Sequence, residues 1–262
     1  MDIAVVTGAS SGMGREFVRQ IDGMGFDEIW GIALEENLLG EVEKNCATKF
    51  RSFAVDLTQP SSIEKYKNAL LEIKPNVKWL MNCSGYGKFG RYDEIPLAST
   101  LNMIDLNCRA LVEMTEITLP YMQEGARIIE IASLAAFQPT PYLNVYAASK
   151  AFVLSYARAL NVELKSRKIS VTCMCPFWTK TAFFKRAEDT NAKNKVVTKY
   201  VAMYDPKDVV KKAIKDATKR KELSICGFIS RSQVRFVKML HPKLVMKIWV
   251  KQQKLQKTYK GR

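Results

Sequence analysis

Tyr146 and Lys150 stand four residues apart in the run Tyr-Ala-Ala-Ser-Lys. On a helix that spacing puts a phenol and an ammonium on one face, one turn apart. A tyrosine with an ordinary pKa of about 10 is a poor base at neutral pH, and a fixed cation beside it favours the phenolate and lowers that pKa. A Tyr so tuned can give or take a proton. Ahead of the pair, Ala126 to Ala132 reads as a buried strand with Ser133 at its carboxyl end, where open parallel sheets place their chemistry. Taken alone, the Tyr-Lys spacing is also that of an ordinary solvated helix face. The elements around it weigh against that reading.

The first of these elements is a strand at 2 to 7 that runs into Thr7-Gly8-Ala-Ser10-Ser11-Gly12-Met13-Gly14, followed by an amphipathic stretch from Arg15 to Met24. Strand, glycine turn and helix form the arrangement in which backbone N–H groups and a helix N-terminus receive a pyrophosphate. The glycines follow G-x3-G-x-G rather than G-x-G-x-x-G, so a turn without a ligand stays open as the alternative. Strands are expected at 28–33, 50–55, 77–82, 126–132, 169–175 and 222–227. Helices are expected at 35–46, 61–73, 96–122, 144–166 and 206–218, the second of these with Ser61 and Ser62 as caps. Strands separated by helical patterns imply a parallel sheet covered on both faces, and right-handed crossovers make it doubly wound.

The composition permits one large domain: 262 residues, 47% apolar. No charged leader or apolar signal core follows Met1, and no apolar run reaches the roughly 18 residues of a spanning helix, so a cytoplasmic protein is expected. Cys173-Met-Cys175 lies on a strand, and its thiols are expected on opposite faces, which would exclude a redox or metal pair. With a single histidine, His241, a Ser-His-Asp hydrolase or a His-rich metal site lacks its residues; no metal is expected. Of 41 Lys and Arg, 16 lie at 211–262 beside only 2 of the 26 Asp and Glu. The body is close to neutral and the tail is basic.

Together these residues resemble the short-chain dehydrogenase/reductase family over roughly residues 2 to 227. The family's TGxxxGxG is matched by Thr7, Gly8, Gly12 and Gly14, and its Asn, Ser, Tyr and Lys by Asn107, Ser133, Tyr146 and Lys150, in order. The resemblance implies a single Rossmann-like doubly wound sheet of about seven strands over 1–227, with a substrate lid at about 177–205. It implies NAD or NADP as cofactor. Tyr146 would be the acid/base, Lys150 would lower its pKa and hold the nicotinamide ribose, Ser133 would hydrogen-bond the substrate oxygen and Asn107 would support a proton-relay water. The same comparison assigns the cofactor to Gly8, Ser10, Ser11, Gly12, Met13, Gly14, Asp56, Leu57, Asn82, Gly85, Tyr146, Lys150, Pro176 and Thr181, with Asp56 on the adenine, where simple helix capping is the rival role.

Three departures stand out. Asn82-Cys-Ser-Gly85 replaces Asn-Asn-Ala-Gly, and Pro176-Phe177 replaces Pro-Gly. The position that usually signs the dinucleotide preference reads as Ala33, so neither NAD nor NADP is favoured.

Phe177, Trp178, Phe183, Phe184, Tyr200, Met203 and Tyr204 in the lid, with Tyr86, Phe89, Leu134, Phe137 and Tyr142 after strand ends, suit an apolar carbonyl or alcohol substrate such as a hydroxysteroid. Reduction of a 3-oxoacyl thioester is the close alternative. A dinucleotide-sensing or scaffold protein without turnover is the rival of another class, and nucleic acid is disfavoured because no binding module accompanies the basic tail. Family members are commonly dimers or tetramers, and the helices at 96–122 and 144–166 carry apolar residues on more than one side, so a homodimer or homotetramer is expected.

Residues 228 to 262 carry Leu244, Val245, Ile248, Trp249 and Leu255 at helical spacing, and Lys243, Lys247, Lys251 and Lys254 on another side. Such a basic helical extension can lie on an anionic membrane, making the protein membrane-associated, or pack its stripe on the body.

Overall fold

The computed structural model describes residues 1–192 and 195–255; the last seven residues of the expected tail and residues 193–194 of the expected lid lie outside that range. Among the described residues the chain builds one seven-stranded sheet in the order β3-β2-β1-β4-β5-β6-β7, parallel throughout. Its strands are β1 Asp2–Thr7, β2 Glu28–Ala33, β3 Lys49–Ala54, β4 Asn76–Asn82, β5 Arg127–Ile131, β6 Ser170–Met174 and β7 Leu223–Ser224. Strands β2 and β6 are buried at every position, as expected where helices cover both faces and no side may be polar by default. Helices α1 Gly12–Ile21, α2 Glu36–Lys44 and α8 Pro206–Thr218 cover one face. On the other lie α3 Pro60–Ile73, α5 Ala110–Thr118 and α6 Asn144–Glu163. The order reverses between β1 and β4, so the carboxyl ends of these two strands open a crevice for a ligand.

Four details differ from the sequence reading. Helix α3 starts at Pro60 after Gln59 as cap. Proline suits the first helical position because its missing N–H would be unpaired there, and Ser62 instead donates its hydroxyl to the carbonyls of Asp56 and Gln59, at 2.8 and 2.9 Å. The long helix expected at 96–122 is divided into α4 Leu97–Ile104, a π turn at Asp105–Arg109, α5, and a 3-10 turn at Leu119–Tyr121. Strand β7 is two residues long, because the chain turns out of the sheet at Gly227. That glycine has φ +84°, and a Cβ there would lie 2.1 Å from the Tyr204 hydroxyl.

The thiols of Cys173 and Cys175 are on the same face, 3.8 Å apart and fully buried. Strand side chains alternate with period two, so residues two apart share a face. The expectation of opposite faces was an error of register. Both are free thiols.

After β6 the chain forms α7 Phe183–Glu188, and after β7 it forms α9 Phe228–Met239 and α10 Pro242–Gln252. Trp249 and Leu255 pack inward with Phe89, Leu143, Val196 and Val197 in a third apolar cluster, apart from the two that flank the sheet, and Val245 is buried as well. Leu244 and Ile248 stay outside, 46% and 42% exposed. The stripe of the C-terminal helix is therefore divided between the body and solvent.

No helix among the described residues is long and apolar enough to cross a membrane.

Candidate active site

Ser133 follows β5 and starts a short 3-10 turn, Leu134–Phe137, its hydroxyl accepting from Ala135 N–H at 3.2 Å. Ala132 and Leu134 donate to the carbonyls of Met174 and Pro176 at 2.8 and 3.0 Å, so the serine is fixed on both sides by the strand end beside it. Tyr146 lies in the first turn of α6 and is half-buried. Its ring meets Phe183 of α7 at 5.5 Å. Gly87 passes so close that a Cβ would sit 2.8 Å from the Tyr146 ring and 2.9 Å from Phe183. Ser133 and Tyr146 line the same pocket with Leu134, Leu143, Phe177 and Trp178, and what exposure Tyr146 keeps is to this recess. Burial pushes its hydroxyl up to about 12, with the Ser133 hydroxyl pulling the other way. The phenol is neutral at physiological pH.

Lys150 is one turn further into α6 and 4% exposed. Its ammonium donates to the carbonyl of Ile131 at 2.8 Å. Burial lowers its pKa to about 8, opposed by Cys108, Cys173, Glu130 and Cys175.

Asn107 is fully buried in the π turn. Its Nδ2 donates to the Tyr86 carbonyl at 2.8 Å and to Ser149 Oγ at 3.0 Å, and its Oδ1 accepts from Tyr86 N–H at 3.0 Å. The π turn spends one extra residue, and the residue at its centre ties the loop after β4 to α6.

Beneath this group lies a buried polar cluster that the sequence reading missed. Glu130 faces Asn82 across β4–β5 and Cys173 across β5–β6. Its Oε1 accepts from Asn82 Nδ2 at 3.1 Å and Thr115 Oγ1 at 2.9 Å, while its Oε2 and the Oδ1 of Asn82 have no partner among the described residues. Burial raises Glu130 to about 7, with the Asn82 and Thr115 bonds and then Lys150 pulling back.

Adjoining the pocket is a larger cleft of ≈ 500 Å³. Gly8, Ser10, Ser11, Gly12, Met13, Gly14, Asp56, Leu57, Gly85 and Thr181 line it, as expected. Pro176 and Tyr146 line the pocket instead, and Met13 and Thr181 belong to the wall between the two. Asn82 reaches neither, because its side chain points into the Glu130 cluster. Lys150 lies behind Gly85, where a Cβ would be 3.3 Å from Nζ.

The glycine turn is built for close approach. Gly8 has φ +67°, and a Cβ on Gly14 would stand 2.1 Å from the Gly8 carbonyl oxygen, so only glycine lets α1 begin this near β1. Its N-terminus and the adjacent backbone amides suit a pyrophosphate. Asp56 Oδ1 is held by Thr58 N–H and Oγ1 at 2.9 and 2.7 Å.

Of the residues expected at the substrate, the aromatic Phe177, Trp178, Phe183 and Phe184 and the aliphatic Leu134 line the pocket. Tyr86 lines the cleft, and its hydroxyl donates to Ser99 O and Asn102 Oδ1. Phe89 and Tyr200 pack around Trp178, with ring centroids 6.2 and 5.2 Å away. Phe137 packs on the core, Tyr142 joins the third cluster, and Tyr204 pairs back to Trp178 through its backbone. Met203 is on the surface, 38% exposed. Gln233 and Trp249, from α9 and α10, line the pocket without having been expected there.

A family model described as short chain dehydrogenase matches residues 2–192. The chain belongs to the short-chain dehydrogenase/reductase family. A very-long-chain 3-oxoacyl-CoA reductase of Rattus norvegicus is 32% identical over 197 residues, covering 71% of this chain and 62% of that one. Sulfoacetaldehyde reductase 2 of Chromohalobacter salexigens is 31% identical over 187 residues, 70% of this chain and 74% of that one. Among solved structures, a short chain dehydrogenase/reductase from Burkholderia phymatum in complex with NAD superposes with TM-score 0.78 at 20% identity, over 89% of this chain and 92% of that one.

As a member of the short-chain dehydrogenase/reductase family, the chain is an NAD(P)-dependent dehydrogenase or reductase, and its cleft fits such a dinucleotide: a glycine cradle that a Cβ would fill, with free backbone amides, beside the recess of Ser133 and Tyr146. Two further residues that the sequence reading did not place there line the cleft. Arg186 of α7 stacks over the Tyr86 ring at 4.1 Å. Glu35, two residues past β2, lines the cleft and accepts from Ser10 Oγ at 3.4 Å. An acid at this end favours a free ribose 2′-hydroxyl and repels a 2′-phosphate.

Glu35→Gln is therefore expected to raise kcat/KM with NADPH relative to NADH about tenfold or more; an unchanged ratio would show that Glu35 does not face the ribose. Glu130 gives a second expectation, in stability. Its folded pKa lies above the unfolded value, so the folded state holds the extra proton between about pH 4.5 and 7. This contribution to stability falls as pH rises through that window, by up to roughly 3 kcal/mol. Glu130→Gln should gain on the wild type in urea denaturation as pH goes from 5 to 8, and parallel curves would refute a buried titrating Glu130.

Proposed function

We propose that the protein interconverts an apolar secondary alcohol and the corresponding ketone. The observation that carries this reading is the placement of Ser133 and Tyr146 in an apolar recess that shares the wall of Met13 and Thr181 with the dinucleotide cleft. A bound nicotinamide dinucleotide supplies or accepts the hydride. In reduction, Tyr146 Oη gives its proton to the oxygen of the substrate while the Ser133 hydroxyl donates a hydrogen bond to the same oxygen. In oxidation, Tyr146 takes that proton back. Lys150, anchored on Ile131 O, keeps a positive charge behind Gly85. Asn107 holds the Tyr86 loop that closes the cleft.

For the substrate, the aromatic walls support an apolar ketone. A 3-oxoacyl thioester is the second reading, favoured by the 32% identity to a very-long-chain 3-oxoacyl-CoA reductase.

The outer side of the C-terminal helices supports peripheral contact with an anionic membrane. Ile229, Phe236 and Met239 on α9 and Leu244 and Ile248 on α10 are exposed, Met239 by 83%. Lys238, Lys243, Lys247 and Lys251 are interspersed with them, and each basic residue near such a surface contributes about 1 kcal/mol. Self-association is supported separately by Leu97, Leu101 and Ile104 on α4 and Phe152 and Val162 on α6, all exposed.

Tyr146→Phe should fold and keep dinucleotide binding while kcat falls roughly 10²- to 10⁴-fold, as for loss of a general acid; near-normal kcat would sink the mechanism. Full-length protein should sediment with phosphatidylserine vesicles at low salt and be released by salt, and Phe236→Glu with Met239→Glu should abolish it. Indifference of the wild type to vesicles would end the membrane reading. Light scattering at micromolar concentration should give a dimer or larger, and a strictly monomeric mass would remove the second copy from α4 and α6.

A further inference from the structure

Behind the pocket of Ser133 and Tyr146 lies a second apolar cavity, of ≈ 140 Å³ beside ≈ 100 Å³ for the first. The two share Gln138, Phe177, Trp178, Gln233 and Trp249 as walls. Beyond that neck the second cavity is lined by Val201, Phe236, Val237, Leu240, Val245 and Ile248. These come from the end of the lid and the facing sides of α9 and α10. Three of them, Val201, Phe236 and Ile248, are also 57%, 57% and 42% exposed, so this cavity opens at the apolar part of the surface.

Its walls are held firmly. Trp249 Nε1 donates to Pro141 O at 3.0 Å, tying α10 to the loop between the 3-10 turn and α6. Gln253, 2% exposed, accepts from Thr198 and Lys199 N–H at 2.9 and 3.0 Å and donates to Lys199 O at 3.0 Å, clasping the lid. The Gln138 and Gln233 side-chain amides make no hydrogen bond among the described residues, which leaves them to meet a second polar group of a ligand at the neck.

We infer that the chamber between α9, α10 and the lid is a tail-binding subsite that takes an unbranched alkyl chain whose reacting carbon sits at Ser133 and Tyr146. The reacting end of this assignment rests on the alcohol–ketone reading above; the chamber itself rests on its own lining. A flexible chain can pass a neck between two small chambers one methylene at a time, whereas rigid fused rings need one continuous wide volume. An apolar wall rewards each methylene removed from water, and the polar ends of a chain are met at the neck and by Lys199 and Gln252, which complete the lining of the second chamber.

The test is a series of alkan-2-ones from four to twelve carbons, reduced with NADH and NADPH. The wild type should show kcat/KM rising about threefold per methylene over the middle of the series, and Val237→Trp should lower the ratio of the ten-carbon to the four-carbon ketone at least tenfold. A flat series in the wild type, or the same ratio in Val237→Trp, overturns the subsite while leaving the oxidoreductase reading intact. A second measurement does not depend on that variant folding. On the unmodified protein, 12-bromododecan-2-one should quench tryptophan emission, and the quenching should be lost in Trp178→Phe/Trp249→Phe, since Trp30 and Trp79 lie in the sheet core. Absence of quenching in the wild type overturns the proposal. Quenching without turnover of any ketone supports the chamber and counts against the alcohol–ketone reading instead.

Discussion

An ammonium cannot be buried without a partner, and the placement of Lys150 is the constraint around which this site is arranged. Its partner is a backbone carbonyl, that of Ile131, at the last residue of β5. A carbonyl at a strand end is free to serve only because the chain leaves the sheet there, and the residue that leaves it is Ala132, followed at once by Ser133. One bond thus fixes how α6 lies over β5. With α6 set, Tyr146 one turn back faces the serine that follows the same strand. The neighbouring carbonyl Pro176 O holds Leu134 N–H and keeps the serine turn from drifting off the sheet.

The same burial shapes what lies beneath. Gly85 lies against Lys150 and Asn107, and beside them Ser149 donates to Tyr146 O and accepts from Asn107 Nδ2. Under them, Glu130 adds a carboxyl whose ionisation would favour the lysine charge but which burial resists. Two titratable groups in one dry region each move toward neutrality, Lys150 downward and Glu130 upward. Glu130 is thus the acidic counterpart in the lysine's surroundings, joined by Asn82 to the strand that ends at the cofactor cleft.

Local patterns carried most of the fold into view. The β-α alternation, the glycine turn and the order Asn107, Ser133, Tyr146, Lys150 are legible because each depends on near neighbours in sequence or on strand ends. What escaped depends on tertiary placement. Asn107 was visible as a residue, but its π turn was not, since a helix with one inserted residue has the same composition as one without. Glu35 escaped because the strand-end position was read at Ala33, while the carboxylate that reaches Ser10 belongs to the loop two residues on. Glu130 escaped because the segment was read as a buried strand without asking what meets its one carboxylate, and the partners, Asn82 and Thr115, come from distant parts of the chain. The thiols of Cys173 and Cys175 were legible in principle, because a period of two places them together.

The C-terminal helices show the limit of periodicity most clearly. An amphipathic pattern says that one side of α10 is apolar but not what meets it, and here the side is divided. Val245 and Trp249 close the substrate end of the fold, and Leu244 and Ile248 remain at the surface, with Ile248 also at the mouth of the second chamber. The decisive residue is Gln253, a polar side chain at the end of an otherwise apolar and basic stretch. Buried amides are retained where their donors and acceptors are matched, and this one matches three backbone groups at Thr198 and Lys199. These bonds fasten the segment at Thr198 and Lys199 to the end of α10. Whatever displaces α10 from Pro141 O must also open the wall of the pocket at Trp178 and Trp249, so the basic outer surface and the reacting recess are mechanically one unit.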